Sequence, residues 1–288
     1  ALPLYRQLND LRGESTVLNN LSVVAYAKNQ LIAAVEHWEK SRSIHQTIGD
    51  KEGTALVLSN LGSVCLDLGA YEKGQAYCLE ALSICREADL RFGQGLNLIN
   101  LALSNYYLNS DRQAEIFSQA ALQLAQEMKS VPLEGLALKD RAYLLLQWQR
   151  FDEAAQTYQQ ALAIWQQLAQ PLQLLEVQAG LAQASLGQGW FEQARDSIVP
   201  VVAHLLAGNT AKGCSRPFFI YLACYKVLAA SQDRNARTIL QQAHDQLLVY
   251  ASNFANETER QTFFENVPEI VHIRNLLVEP GQDDTPTE

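Results

Sequence analysis

Apolar and polar residues follow a helical period through most of the chain. In the stretch LVLSNLGSVCLDLGAYEKGQAYCLEAL, residues 56–82, they are distributed as in an amphipathic helical hairpin. Val-rich runs with strict alternation, which are typical of half-buried strands, are missing from the sequence. Only 8 Pro and 15 Gly are present, mostly where turns are expected. The pattern therefore predicts an all-α chain.

The helical pattern repeats every 40 residues. Starting from Asn60-Leu61-Gly62, the corresponding triplets are Asn20-Leu21-Ser22, Asn100-Leu101-Ala102, Asp140-Arg141-Ala142 and Gly180-Leu181-Ala182. Twelve residues after each triplet stands a small residue, namely Ala34, Gly74, Ala114, Ala154 and Ala194. A sixth copy follows after a slip of two residues. We expect about six stacked hairpins, because a single one cannot bury its own apolar face.

The second copy resembles a tetratricopeptide repeat. The residues that carry the resemblance are Leu58, Leu61, Gly62, Gly69, Tyr71, Gly74 and Ala81. The period of 40 exceeds the roughly 34 residues of the basic repeat. The long repeat is similar to those of kinesin light chains, Rap-type bacterial peptide receptors and the C-terminal repeat arrays of bacterial signalling ATPases. The resemblance implies a right-handed superhelical α-solenoid. Gly74 is expected where two helices approach most closely, since the other copies carry Ala there.

The ends of the chain differ from the repeats. Asn256 with Glu259 three residues later has the spacing of a capping box, and Pro268 suits the first turn of a last helix. We predict a second-helix tail of a truncated upstream repeat at 1–15, a repeat array at 16–252, C-terminal capping helices at 253–279 and a disordered acidic tail at 280–288.

Composition and charge exclude some classes of binding partner. The net charge of −9 argues against a nucleic-acid or anionic-membrane surface, which would need clustered Lys and Arg. The five cysteines have no CxxC spacing and are expected to be reduced thiols. No signal peptide opens the chain, and no apolar run is long enough to span a membrane. These features predict a cytoplasmic protein.

Motifs for catalysis are missing from the sequence. The five histidines are scattered without metal-site spacing, and there is no GxxxxGK[ST], GxGxxG or GxSxG. We therefore expect no enzyme activity, no cofactor and no metal.

A row of asparagines is the strongest candidate for binding. Asn20, Asn60 and Asn100 each precede a leucine expected in the core, at the edge of the groove that first helices line in such arrays. An Asn amide can both donate to and accept from one peptide unit of an extended ligand. The resemblance implies the same use of these positions. In the alternative, the amides bond to adjacent helices and only hold the groove together. Asp140 and Gly180 interrupt the row.

Other groove positions follow from helical spacing. The additional candidate peptide-binding residues are Tyr26, Ser63, Asp67, Tyr106, Tyr107, Lys139, Asp140 and Tyr143. Tyrosines in a concave surface are typical anchors for apolar ligand side chains.

These features predict a non-catalytic module that binds a peptide or protein segment in its concave groove. The resemblance implies the sensor or partner-recruiting arm of a larger bacterial signalling or transcriptional regulator. Two alternatives stay open. One is an autoinhibitory or oligomerising scaffold, which includes contact with N-terminal domains of the same protein, and the other is a small-molecule sensor.

Overall fold

The computed structural model describes residues 1–254 and 256–278, which form 15 helices and no strand. In chain order the helices are α1 (Leu2–Gln7), α2 (Leu11–Ala27), α3 (Leu31–Thr47), α4 (Lys51–Asp67), α5 (Tyr71–Glu87), α6 (Arg91–Tyr107), α7 (Asp111–Glu127), α8 (Val131–Gln147), α9 (Phe151–Gln167), α10 (Pro171–Gly187), α11 (Phe191–Leu206), α12 (Pro217–Ala230), α13 (Asn235–Ala251), α14 (Glu257–Asn266) and α15 (Pro268–Val278). The acidic tail predicted at 280–288 lies outside the described residues.

The 40-residue period comes from a regular alternation of helices and turns. Each helix from α2 to α10 has 17 residues, and three residues separate it from the next. The middle residue of each of these turns has a positive φ, and so has Asn9 in the turn before α2: the residues after α2 are Asn29, Gly49, Gly69, Asp89, Asn109, Lys129, Gln149, Ala169 and Gly189. A left-handed residue after a helix satisfies its last carbonyl groups. Two helices and two such turns make one repeat.

Consecutive helices pack as antiparallel hairpins that stack along the chain. The pairs are α2 with α3, α4 with α5, α6 with α7, α8 with α9, α10 with α11, and α12 with α13. The first helices of neighbouring hairpins also touch, as α4 does with α6 and α6 with α8. The first helices therefore line one face of the array.

Small residues allow the close approach of paired helices. A Cβ added to Gly74 would lie 3.1 Å from the Gly62 carbonyl oxygen and 3.3 Å from Cys65 Cβ. The expectation of closest approach at Gly74 is confirmed. Leu61 and Leu101 are fully buried as expected, but the same expectation is wrong for Leu21, which is 39% exposed. Among the described residues, α2 packs mainly against α3 and only weakly against the six-residue α1, and neither helix covers Leu21.

The two ends of the array depart from the repeat. Residues 1–15 contain α1, a turn at Asn9 and the first residues of α2. At the other end α12 is apolar on all sides and is packed among α10, α11, α13 and α15. The Asn256 side chain caps α14 by accepting from the Thr258 amide, and Pro268 begins α15. The division of the chain into four segments stays a prediction.

Candidate functional site

A cavity of about 380 Å³ lies on the face formed by the first helices. One wall comes from α2, α4, α6 and α8, and includes Tyr26, Asn60, Ser63, Asp67, Asn100, Tyr107 and Asp140. The opposite wall comes from the loop before α12 and from the C-terminal helices, and includes Arg216, Phe218, Phe219, Tyr250, Phe263 and Glu269. The structure thus brings seven of the predicted groove residues to one cavity.

The row of asparagines reaches this cavity at two positions. Asn60 and Asn100 are half-buried in its lining, on the neighbouring helices α4 and α6. Burial raises the pKa of the Cys78 thiol to about 12, and a hydrogen bond with Asn100 opposes the shift. The Asn100 amide therefore also contacts α5, as the alternative of a purely structural role requires. Asn20 is exposed, and the described lining does not include it.

A tyrosine and a carboxylate from successive repeats meet at one end of the cavity. Tyr26 Oη donates to Asp67 Oδ2 at 2.7 Å. Burial raises the pKa of Asp67 from 3.8 to about 7, and this effect outweighs the opposing hydrogen bond from Tyr26. Of the charged side chains that face Asp67, Arg216 and Lys139 also lower this pKa, whereas Glu176 raises it. The cavity thus holds a carboxyl group that titrates near neutrality.

This raised pKa predicts a pH-dependent stability. Between about pH 4 and pH 7 the folded chain holds a proton on Asp67 that the unfolded chain has lost. The free energy of unfolding should therefore fall as the pH rises through this window. The free energy of unfolding can be measured by urea denaturation at about pH 5 and about pH 8. It should fall more between these two pH values for the wild type than for Asp67→Asn, whose side chain does not titrate. Equal losses in both proteins would contradict the assignment.

Tyrosines from three repeats form a continuous row. The Tyr71 and Tyr107 rings stack with their centroids 4.3 Å apart, and Tyr107 Oη lies 3.0 Å from Tyr143 Oη. The Arg216 guanidinium lies 4.2 Å from the centroid of the fully buried Tyr143 ring. Tyr106, also predicted, packs against Tyr107 with the two rings tilted by 59°. Tyr106 and Tyr143 both contact Tyr107, which lines the cavity, but neither of them is part of the described lining.

Lys139 and Asp140 belong to a buried cluster of charges. Lys139 Nζ lies 3.1 Å from Glu176 Oε1 and donates to Ser215 Oγ at 3.0 Å. Arg216 pairs with Asp140 and lies 2.8 Å from Glu176 Oε1. Burial alone would raise the pKa of Glu176, but Lys139 and Arg216 hold it below its ordinary value. The ammonium group predicted for the groove is engaged by residues of the chain itself.

Part of the sequence matches a known protein family. Residues 53–127, from α4 to α7, match the family model described as tetratricopeptide repeat. Residues 53–127 are thereby identified as tetratricopeptide repeats. A comparison with curated proteins finds no match.

Two solved structures share the fold of this chain. A Rap protein complexed with competence and sporulation factor is 15% identical, with a TM-score of 0.69 over 97% of this chain and 82% of that one. NprR in complex with its cognate peptide NprX is also 15% identical, with a TM-score of 0.62 over 98% and 81%. These similarities confirm the predicted all-α, right-handed superhelical α-solenoid.

A third similar structure is a signal transduction ATPase with numerous domains and a tetratricopeptide repeat sensor, from Pyrococcus horikoshii. It is 13% identical, with a TM-score of 0.56, and the match covers 87% of this chain and 38% of that one. This chain therefore corresponds to less than half of that protein.

Several residues of the site could not be found from the repeat pattern. Phe218 and Tyr250 lie on α12 and α13, after the slip in the 40-residue spacing, and Arg216 lies in the loop before α12. Phe263 lies on α14, beyond the repeats. Tyr71 was visible only as the aromatic residue after a turn. Among the described residues, no helix combines the length and apolar content that a membrane span needs, and no group of three acidic, His or Cys side chains is placed to hold a metal.

Proposed function

We propose that the tetratricopeptide array binds an extended peptide segment in the cavity of its concave face and has no catalytic activity of its own. The observation that carries this proposal is the pair of half-buried amides, Asn60 and Asn100, that face one cavity from equivalent positions of neighbouring repeats. Each amide has both a donor and an acceptor for a peptide unit.

The spacing of the two helices suits an extended chain. Packed helices lie roughly 8–10 Å apart, and an extended chain advances about 3.3 Å per residue. Asn60 and Asn100 would therefore contact peptide units about three residues apart. Ser63, one helical turn after Asn60, adds a hydroxyl to the same wall.

The rest of the cavity offers apolar contact. Aromatic side chains from both walls, including Tyr107, Phe218 and Tyr250, surround the polar groups. Ligand pockets combine mostly apolar walls with a few polar groups that set orientation, and their volumes run from about 300 to 1,000 Å³. A cavity of about 380 Å³ suits part of a peptide, with the remainder in the open groove.

The similar structures support a role in signalling. Two of them are described in complex with a factor or a cognate peptide, and a third carries its repeats as a sensor. We place this array in the same role, as the sensor or partner-recruiting arm of a bacterial signalling or transcriptional regulator. All five cysteines are free, which suits the reducing cytoplasm.

Filling the cavity should weaken peptide binding strongly. Peptides would be selected from a random library on the immobilised wild-type chain, and their Kd measured by titration calorimetry. Ser63→Trp places an indole among the lining residues and should weaken binding by about 100-fold or more. The matched control is Ser83→Trp, at an exposed position of α5, which should bind as the wild type does. Equal Kd values for both variants would contradict the proposal.

A further inference from the structure

The C-terminal hairpin, α14 and α15, contacts the array far from its own place in the sequence. Tyr71 Oη donates to the Asn266 carbonyl oxygen at 2.9 Å, across 195 positions of the chain. Asn266 Nδ2 in turn donates to the Gly69 carbonyl oxygen at 3.0 Å. The junction between α14 and α15 is thereby tied to the turn between α4 and α5.

Gly69 permits this contact. Its φ is +73°, which favours glycine, and a Cβ added there would lie 2.9 Å from Asn266 Cβ and 3.2 Å from the Thr262 carbonyl oxygen. Part of this contact is with backbone, which cannot move aside as the end of a long side chain can. The turn is therefore shaped both for its own hairpin and for the approach of the C-terminal hairpin.

A second tie joins the hairpin to the row of tyrosines. Glu269, in the first turn of α15, is 8% exposed and accepts a hydrogen bond from Tyr143 Oη at 2.8 Å. Tyr143 is itself within hydrogen-bond distance of Tyr107. Burial lowers the pKa of Lys226 on α12, and the nearby Glu269 carboxylate opposes this shift. The carboxylate is thus held by polar groups that belong to the array.

The apolar packing of the hairpin is small by comparison. Phe263 is the one buried residue of α14, and α15 buries Glu269, Ile270 and Ile273, whereas α12 buries nine residues. Segments with few buried apolar side chains open at a lower free-energy cost than the core does. The polar ties therefore add to a small apolar contact in holding this hairpin in place.

The hairpin also forms part of the candidate binding cavity. Phe263, Val267 and Glu269 belong to the wall that faces Asn60 and Asn100. Movement of the hairpin away from Gly69 and Tyr143 would remove that part of the wall and widen the entrance to the groove.

From these contacts we propose that the C-terminal hairpin is a lid over the groove, held shut by Tyr71 and Tyr143 through Asn266 and Glu269. The lid opens as a unit to admit a ligand, while the repeats keep their structure. This inference rests on the proposed function, because it describes the regulation of the same cavity.

Hydrogen exchange measured by mass spectrometry on the full chain, without any ligand, tests the lid. A Tyr71→Phe/Tyr143→Phe variant keeps both rings and removes the two tyrosine hydrogen bonds to the hairpin, while the bond from Asn266 Nδ2 to Gly69 remains. Amides of 257–278 should then exchange about 10- to 100-fold faster, as expected for two lost hydrogen bonds, while those of α2 to α11 keep their wild-type rates.

Two further variants make the result specific. Tyr5→Phe removes a hydroxyl from α1 and should leave exchange of the hairpin unchanged. Glu269→Gln keeps an oxygen that can accept from Tyr143 and should accelerate exchange less than the double variant does. Unchanged exchange of 257–278 in the double variant, or an equal acceleration along the whole chain, would overturn the lid. Neither result bears on whether peptides bind, so the two proposals fail separately.

Discussion

Replacing Arg216 with methionine should lower the free energy of unfolding by about 3–5 kcal/mol. The guanidinium pairs with Asp140 and with Glu176, whose side chain is only 2% exposed. Methionine fills much of the same volume but leaves these carboxylates with Lys139 as their one cationic partner among the described side chains. Breaking a buried ion pair on one side is costly, because the remaining charge stays out of water without compensation.

Arg150→Met is the matched control for this substitution. Arg150 pairs with Glu115 and Glu153, but its side chain is 35% exposed. Pairs in such positions contribute about 0–1 kcal/mol, because water and salt screen them. Urea denaturation of the two variants should therefore differ by several kcal/mol. Equal and small losses would show that the cluster around Glu176 is open to water.

Replacing both cavity asparagines should weaken binding of a selected peptide by about 30-fold or more. Each amide is expected to donate one hydrogen bond to the peptide and accept another, and each bond contributes about 0.5–1.5 kcal/mol. The variant is Asn60→Ala/Asn100→Ala, and Kd is measured by calorimetry. Asn20→Ala is the control within the same row, since Asn20 is exposed and the cavity lining does not include it.

The alternative of a structural role for these amides gives a different result. If Asn60 and Asn100 mainly join helices, as the contact between Asn100 and Cys78 suggests, the double variant should lose stability and keep its peptide affinity. Thermal denaturation and calorimetry on the same samples separate the two. An affinity equal to that of Asn20→Ala would contradict peptide recognition by the pair.

The regular part of the fold could be predicted because its determinants are local. Helix length, turn position and a small residue at the position of Gly74 all recur every 40 residues, so the sequence period predicts all three. The buried position of Leu61 and Leu101 followed from the same pattern. The pattern was wrong for Leu21 because burial there depends on what packs against α2, which the spacing does not show.

The candidate site could be predicted only in part. Helical spacing identified Tyr26, Asp67 and Asn60 on the cavity wall, since all of them lie on first helices. It could not show that Arg216, 76 residues after Asp140, would reach the same cluster. Nor could it show that Glu269 would meet Tyr143. Such contacts depend on the curvature of the whole superhelix. That curvature is the sum of small rotations between all neighbouring repeats.

The central claim is that a peptide occupies this cavity. Photo-crosslinking tests it most directly, with p-azidophenylalanine in place of Tyr107, which lines the cavity, or in place of Tyr5 on α1. A selected peptide should become covalently attached at position 107 and not at position 5. Attachment at position 5 alone, or equal attachment at both positions, would contradict it and place the binding surface elsewhere on the solenoid.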